Sequence, residues 1–302
     1  MGEGMREYVF PGSVEEAVAE LEARGGKGRV IAGGTDVLPD LREGRMETGC
    51  LIDVTRIPGL DAVVVDERWV MVGAGVTFAG LRLDGFLQEN VPGLVEAAGS
   101  VGAGAIQNAA TWVGNIVQAM PAADGGIAAL ALGAEARIVG ADGVRWERVE
   151  HLFAGPGVSR VDPTRELVTH LRFPTPTERT GTAWRRVVRR AALVLPILNC
   201  AVRVELEGTS EGGGGEDDVW RIADAAIAIG PVAPRPLRAR EAEVFLVGRM
   251  AEEPVLREAA VIARGEAHPR TSVMRASREY RLAILPELVM GALTTAVERA
   301  GG

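Results

Sequence analysis

Apolar residues recur along the first third of the chain at spacings that alternate between helix and strand. Ser13 and Glu16 form a capping box before a stretch whose apolar residues lie three and four positions apart, while runs of β-branched residues follow. The pattern predicts a helix over 14–21, a strand over 29–32, a short helix over 37–42 and a strand over 51–54. Together these elements form a small α/β unit that ends near Pro58.

The next region repeats this mixture of strands and helices. Two apolar runs separated by three polar residues predict a hairpin, and the turn at Ala141–Gly143 predicts another. In order, the pattern predicts strands at 62–65 and 69–72, helices at 78–88 and 127–132, and strands at 136–139, 144–146 and 166–173. The prolines within Pro174–Glu178 break regular structure and mark a linker.

Beyond the linker the pattern predicts a sheet followed by helices. Period-two alternation indicates a strand, and Gly212 to Gly215 predict a flexible tip. The predicted elements are strands at 200–206 and 222–229 and helices at 237–246, 255–264 and 278–299, the last interrupted at Pro286 and Gly291. We therefore expect an α+β protein with domains at 1–58, 59–175 and 178–302.

The amino-acid composition limits the classes of function that the chain can have. The 302 residues are 47% hydrophobic and 25% charged, which indicates a folded chain, and a net charge of -8 disfavours nucleic acid as a partner. The first residues lack an apolar export signal, so we expect a cytoplasmic protein. Ala97 to Ala123 carry no charge, yet their amides and glycines would be costly in lipid. We expect no membrane span there, but buried irregular backbone around a large ligand.

The number and spacing of the cysteines and histidines limit the metal sites that the chain could form. Cys50 and Cys200 cannot supply the ~four thiolates that an iron–sulfur cluster usually requires. The histidines at 151, 170 and 268 show no zinc-ligand spacing. The sequence therefore predicts no metal site.

Two uncharged glycine-containing turns are the candidates for chemistry. The familiar nucleotide signatures are missing, because Gly73–Phe78 lacks a third glycine and no P-loop occurs. Ala32-Gly33-Gly34-Thr35-Asp36 lies between a strand and a helix, where backbone N–H groups can bind phosphate, although a plain tight turn has the same pattern. Residues 106–115 combine small, amide and hydroxyl side chains that suit a dinucleotide, or alternatively a buried capped turn.

The order and separation of these two motifs resemble the FAD-binding subunit of the molybdenum hydroxylases. The resemblance extends to the opening residues Tyr8–Ala17, to Leu51-Ile52-Asp53 and to Ser277–Arg281. It implies a two-part FAD-binding domain of the PCMH type, followed by a C-terminal sheet-plus-helices domain. It also implies a molybdenum-cofactor large subunit and an iron–sulfur small subunit as partners, in a dimer of heterotrimers.

By this resemblance FAD contacts both turns. The implied site residues are Ala32, Gly33, Gly34, Thr35, Asp36, Val101, Ile106, Ala110, Thr111, Val113, Gly114, Asn115, Asp124, Leu167, Val168 and Arg185. The resemblance implies that the subunit, through its FAD, passes electrons from iron–sulfur clusters on a partner chain to an external acceptor. Neither the acceptor nor the substrate of the complex is encoded here.

The chain departs from the family pattern at two places. Trp112-Val113 replace an Ile-Gly pair, and a valine at a position of positive φ would be strained. Either the loop adopts negative φ there, or FAD binds weakly, or FAD is lost. Ala191-Ala192 replace a Gly-Asp pair. The alternatives to an FAD subunit are a flavin-free scaffold subunit of the same complex and a stand-alone flavin reductase.

Overall fold

The chain folds into two compact units. The computed structural model describes residues 7–190, 193–208 and 220–302. One unit contains the described residues up to Leu81, together with Val101–Met120 and Ala134–Thr175, and the second contains Arg82–Ser100, Pro121–Gly133 and the described residues from Pro176. The predicted tip at Gly212–Gly215 and the Ala191-Ala192 pair lie outside the described residues.

Two sheets organise the first unit. One is a three-stranded parallel sheet, and the other is a five-stranded antiparallel sheet. The parallel sheet has the order β1 (Glu7–Val9), β3 (Cys50–Asp53), β2 (Gly28–Ile31); the antiparallel sheet has the order β4 (Val63–Val65), β5 (Trp69–Gly73), β10 (Glu166–Pro174), β6 (Glu135–Gly140), β7 (Gly143–Arg148). A two-stranded ribbon joins β8 (Phe153–Gly155) to β9 (Val158–Ser159).

Short helices connect these strands. They are α1 (Val14–Arg24), α2 (Val37–Arg42), α3 (Phe78–Leu83), α6 (Gly104–Ala109), α7 (Trp112–Val117) and α9 (Val149–Leu152). The Ser13 hydroxyl caps α1 by accepting from the N–H of Glu16, and the Glu16 carboxylate accepts from the N–H of Gly12. Helix α1 buries Ala17, Val18 and Leu21 and contacts strands of both sheets.

The second unit is built on a four-stranded antiparallel sheet. Its order is β11 (Thr180–Val187), β12 (Leu198–Gly208), β13 (Trp220–Gly230), β14 (Leu237–Arg238). Its helices are α4 (Gly85–Asn90), α5 (Pro92–Ser100), α8 (Asp124–Ala131), α10 (Arg240–Leu246), α11 (Glu253–Glu266) and α12 (Arg278–Gly301). A core of aliphatic side chains joins the sheet to α10, α11 and α12.

Two segments from the middle of the sequence belong to this second unit. Helix α5 packs against β11, and α8 packs against β12 and β13. Gly93 permits the first contact, because a Cβ there would lie 2.8 Å from the backbone nitrogen of Ala183. The predicted domains are three consecutive segments of the chain. The contacts of α5 and α8, by contrast, are with strands that come later in the sequence. As a division into domains those boundaries stay a prediction.

The α+β class is confirmed, and most predicted elements are present, but four local predictions are wrong. The helix predicted over 78–88 is broken at Asp84, whose carboxylate caps α4 through the N–H of Leu87. Residues 97–123 are not irregular, because they contain the end of α5 and all of α6 and α7. The helix predicted over 237–246 begins only at Arg240, after the short strand β14.

Helix α12 runs unbroken through Pro286 and Gly291, where interruptions were predicted. By length and composition it is the one helix of the described chain apolar enough to cross a membrane. Its buried residues Leu285, Val289 and Leu293 belong to the core of the second unit. Packing against the sheet therefore compensates the backbone hydrogen bond that Pro286 cannot donate.

We predict that Gly181→Ala strongly destabilises the second unit. A Cβ at Gly181 would overlap the carbonyl oxygen of Ala296 and lie 2.8 Å from the nitrogen of Ala300, so α12 would have to move off β11. We expect a loss of about 2 kcal/mol or more in the free energy of unfolding, measured by urea titration. Gly265→Ala is the control, since nothing lies within 4 Å of a Cβ there. Equal stability of the two variants would contradict this packing.

Candidate functional site

A cavity of about 350 Å³ lies in the first unit. The chain leaves β2 into the segment Ala32–Asp36, which we call the first loop, and Ala110–Asn115 form the second loop. Both loops line the cavity, as does Val54, which directly follows β3. The cavity therefore opens at the carboxyl edge of the parallel sheet, a usual place for ligands in α/β units.

All the predicted site residues except Asp124 and Arg185 line this cavity. Those that line it are Ala32, Gly33, Gly34, Thr35, Asp36, Val101, Ile106, Ala110, Thr111, Val113, Gly114, Asn115, Leu167 and Val168. The structure thus brings together two turns that are more than seventy residues apart in the sequence. Their individual contacts with a cofactor stay predictions.

The two loops touch through their backbones at Gly33. A Cβ on Gly33 would overlap the carbonyl oxygen of Ala109 and would come within 3.0 Å of the Cα of Ala110. Only glycine allows so close an approach. The glycine pair of the first loop therefore has a second role besides turning the chain, since Gly33 fixes the distance between the loops.

The first loop presents unsatisfied backbone donors. The N–H groups of Gly33, Gly34, Thr35 and Asp36 donate to no other described residue, although the Gly34 carbonyl accepts from Leu38 at 3.0 Å. Gly34 has φ +68°, which turns successive N–H groups toward one side. A concave run of free N–H groups is a binding site for anionic oxygens.

Hydrogen bonds to the segment that follows β5 hold the second loop in place. Ala110 accepts from the N–H of Phe78 at 3.0 Å, and the N–H of Trp112 donates to Val76 at 3.2 Å. Thr111 caps α7, because its Oγ1 accepts from the N–H of Gly114 at 3.0 Å. The capped-turn interpretation is therefore correct, and the same turn also lines the cavity.

The replacement of Ile-Gly by Trp112-Val113 causes no backbone strain. Both residues lie in the first turn of α7, and the non-glycine residues with positive φ in the described chain are Ala119 and Leu193. Trp112 is fully buried, with its ring 6.1 Å from that of Phe173 in an edge-on arrangement. Of the three possibilities for this turn, negative φ at Val113 is the one observed.

Two polar groups in the wall remain unsatisfied. The Asn115 Oδ1 is buried without a hydrogen-bond partner among the described residues, and so is the Nε of Arg29. An amide oxygen accepts from hydroxyls, and a guanidinium donates to phosphate. FAD carries ribityl and ribose hydroxyls and a diphosphate. With the free N–H groups of the first loop, the donors and acceptors in the wall fit this cofactor.

Part of the cavity wall is apolar. Leu167 and Val168 on β10 line the cavity together with Val101 and Ile106, and all four offer only hydrocarbon. Near them, the buried Gln107 donates to the carbonyl of Val101 at 2.9 Å and fixes the turn before α6. A cavity lined by both apolar side chains and polar loops suits a ligand with one aromatic end and one charged centre.

Asp124 and Arg185 belong to the second unit. Asp124 begins α8, where its carboxylate accepts from Asn199 Nδ2 at 2.7 Å and lies 3.4 Å from Arg186 Nη1. Burial raises the pKa of Asp124 to about 6, against the lowering effect of Asn199 and Arg186. Arg185 donates to Thr295 Oγ1 at 3.0 Å. A role for either residue at the cofactor stays a prediction.

Sequence reasoning missed several residues of the cavity wall. These are chiefly Arg29, Val54, Ala74, Val161, Pro163 and Gln118. Val54 could have been found, because it ends the strand predicted over 51–54. Nothing in the local sequence distinguishes Arg29 or Pro163. The N–H of Val30, which follows Arg29, donates to the Pro163 carbonyl at 2.9 Å.

Comparison with known proteins agrees with this geometry. The family described as "FAD binding domain in molybdopterin dehydrogenase" matches residues 4–176, and the family "CO dehydrogenase flavoprotein C-terminal domain" matches residues 183–296. The chain therefore belongs to the FAD-binding subunits of the molybdopterin dehydrogenases. FAD is the cofactor of this family, and its members are subunits of oxidoreductase complexes.

Individual relatives match over nearly the whole chain. The xanthine dehydrogenase FAD-binding subunit of Escherichia coli O157:H7 is 28% identical over 91% of this chain and 90% of its own. The carbon monoxide dehydrogenase medium chain of Hydrogenophaga pseudoflava is 27% identical, over 97% of each chain. A solved structure of carbon monoxide dehydrogenase from that organism matches with a TM-score of 0.87 at 28% identity, over 99% of each chain.

We predict that Gly33→Ala abolishes FAD retention. The added methyl overlaps the Ala109 carbonyl, so the loops must separate and their donors no longer converge on one diphosphate. The measurement is the flavin content of the purified protein. Gly104→Ala, on the neighbouring helix α6 with nothing within 4 Å of its Cβ, is the control and should retain FAD. Full flavin content in Gly33→Ala would disprove the role of the close contact.

We predict that Asp124→Asn changes how stability depends on pH. Because the pKa is raised to about 6, the folded state binds more protons than the unfolded state between pH 4 and 6. The contribution of Asp124 to stability is therefore present below pH 4 and is lost as the pH rises through 6. Asparagine does not titrate, so the stability of the variant relative to wild type should rise by up to about 3 kcal/mol between pH 4 and 7.

Urea titrations at pH 4, 5, 6 and 7 measure this difference. Asp142→Asn, at the exposed turn between β6 and β7, is the control for loss of one carboxylate. If the two variants show the same pH dependence, the burial of the Asp124 carboxylate does not control its protonation.

Proposed function

We propose that this chain is the FAD-binding electron-transfer subunit of a multi-subunit molybdenum hydroxylase. In that complex it passes electrons from iron–sulfur clusters on a partner chain to an external acceptor. The observation that carries the proposal is the contact of Gly33 with Ala109 and Ala110, which joins two loops around one cavity. Free N–H groups in the first loop suit the diphosphate of a dinucleotide.

Bound FAD would supply the redox chemistry itself, since a flavin accepts and releases electrons. The residues of the chain need only bind the cofactor, orient it and exclude water. The free N–H groups of the first loop would hold the diphosphate. The Asn115 oxygen would accept from a cofactor hydroxyl, and Leu167 and Val168 would pack against the flavin.

The composition of the chain supports a division of labour among subunits. Cys50 and Cys200 are both buried and free, and two thiolates are too few for a cluster. The relatives include carbon monoxide dehydrogenase medium chains and a subunit named for a 6-hydroxypseudooxynicotine dehydrogenase complex. We therefore assign the clusters to a small subunit and the molybdenum cofactor to a large subunit, in a cytoplasmic dimer of heterotrimers.

The experiment is purification of the natively expressed complex by a tag on this chain. We expect a yellow protein that absorbs near ~450 nm, releases FAD on denaturation, and carries co-purifying molybdenum and iron with two further subunits. The isolated chain should bind FAD but should not oxidise substrate.

Two results would contradict the proposal. A folded, colourless chain that takes up no added FAD would indicate a scaffold subunit. Substrate turnover by the chain alone would indicate an independent reductase.

A further inference from the structure

Among the residues that line the cavity, Arg29 is the one with a positively charged side chain. The other charged lining residues are Asp36 and Glu166. Glu166 is already paired, because both of its carboxylate oxygens accept from Arg145, at 2.7 and 3.0 Å. Asp36 is exposed and makes no capping hydrogen bond to α2. The cavity therefore holds one guanidinium whose charge no lining carboxylate neutralises.

The carboxylates nearest Arg29 are engaged with other groups. Asp162 and Asp40 influence Arg29 through their charge, without a hydrogen bond to it. Asp40 is paired with Arg45 at 2.6 Å. Asp162 accepts from the N–H and hydroxyl of Thr164, at 2.9 and 2.7 Å. Neither carboxylate forms a hydrogen bond or a close ion pair with Arg29 in the described part of the chain.

The backbone holds Arg29 in place. It lies on β2, paired with Leu51 of β3, four residues before Gly33 in the sequence. The next residue, Val30, donates to the carbonyl of Pro163 at 2.9 Å. The side chain of Arg29 is partly buried, with Nε buried and without a hydrogen-bond partner among the described residues. A partly buried and unpaired guanidinium is unfavourable until an anion binds beside it.

We propose that Arg29 binds the diphosphate of the cofactor and thereby selects FAD over flavins that lack the ADP half. This inference rests on the proposed function. The first loop offers N–H dipoles but no full positive charge, whereas a diphosphate carries two negative charges. A guanidinium presents several donors in a planar fork that matches phosphate oxygens. Arg29 supplies the positive charge that both loops lack.

The test measures the binding of FAD, ADP and riboflavin to flavin-free protein. FAD and ADP contain the diphosphate and riboflavin does not, so the three ligands separate recognition of the phosphates from recognition of the flavin ring. Arg29→Met removes the charge but keeps much of the length of the side chain. We expect it to weaken FAD and ADP roughly ten- to hundredfold and to leave riboflavin unchanged.

Two further variants complete the design. Arg29→Lys keeps the charge but loses the fork, so it should retain part of the affinity for FAD and ADP. Arg42→Met, at an exposed position on α2 outside the cavity, is the control for loss of one positive charge and should bind all three ligands like wild type. Thermal unfolding without ligand checks that Arg29→Met folds; if it does not, Arg29→Gln replaces it as the uncharged variant.

Three results would overturn the inference. Unchanged FAD affinity in Arg29→Met, or in Arg29→Gln should the methionine variant not fold, would show that Arg29 does not bind the cofactor. If Arg29→Met weakened the binding of riboflavin and ADP equally, Arg29 would contact the flavin ring or support the fold, and would not recognise the diphosphate. If wild-type protein binds neither FAD nor ADP, the proposed function fails together with this inference, whereas the first two results leave the proposed function intact.

Discussion

The first unit depends on one backbone contact, between Gly33 and the end of α6 at Ala109. Each loop is held separately by its own neighbours, the first by its position at the end of β2 and the second by hydrogen bonds with Phe78 and Val76. Neither loop encloses a ligand alone. No side chain separates the two backbones at this contact, so the two short polar segments form one continuous wall of the cavity. The cavity is therefore a product of the tertiary fold rather than of either motif.

This geometry also explains how a chain with a net charge of -8 can bind an anionic cofactor. Long-range electrostatics would oppose the approach of a diphosphate, so attraction must come from groups close to the ligand. The free N–H groups of the first loop supply part of that attraction, and Arg29 lies on the strand that leads into them. An uncharged second loop then suffices, because it needs only to avoid repelling the ligand.

The amino-acid sequence alone predicts the parts of this fold that local chemistry determines. The capping box at Ser13, the strands beside the first loop and both loops themselves are recognisable from residue types and their spacing. Elements that depend on distant partners are not. Helix α12 continues through Pro286 because the sheet supports it, and α5 and α8 join the second unit because small residues such as Gly93 allow close packing. Arg29 escapes sequence reasoning for the same reason, since only tertiary contacts bring it to the cavity.

Trp112 and Val113 show that a motif constrains backbone geometry more directly than it constrains residue identity. A glycine is required only where φ is positive or where another backbone approaches closely. At Val113 neither condition holds, because the Thr111 cap starts α7 there and the side chains of the first turn pack into the core. At Gly33 the second condition holds fully. A valine in place of the family's glycine at position 113 is therefore compatible with an intact cavity. Replacement of Gly33 by valine would remove the cavity.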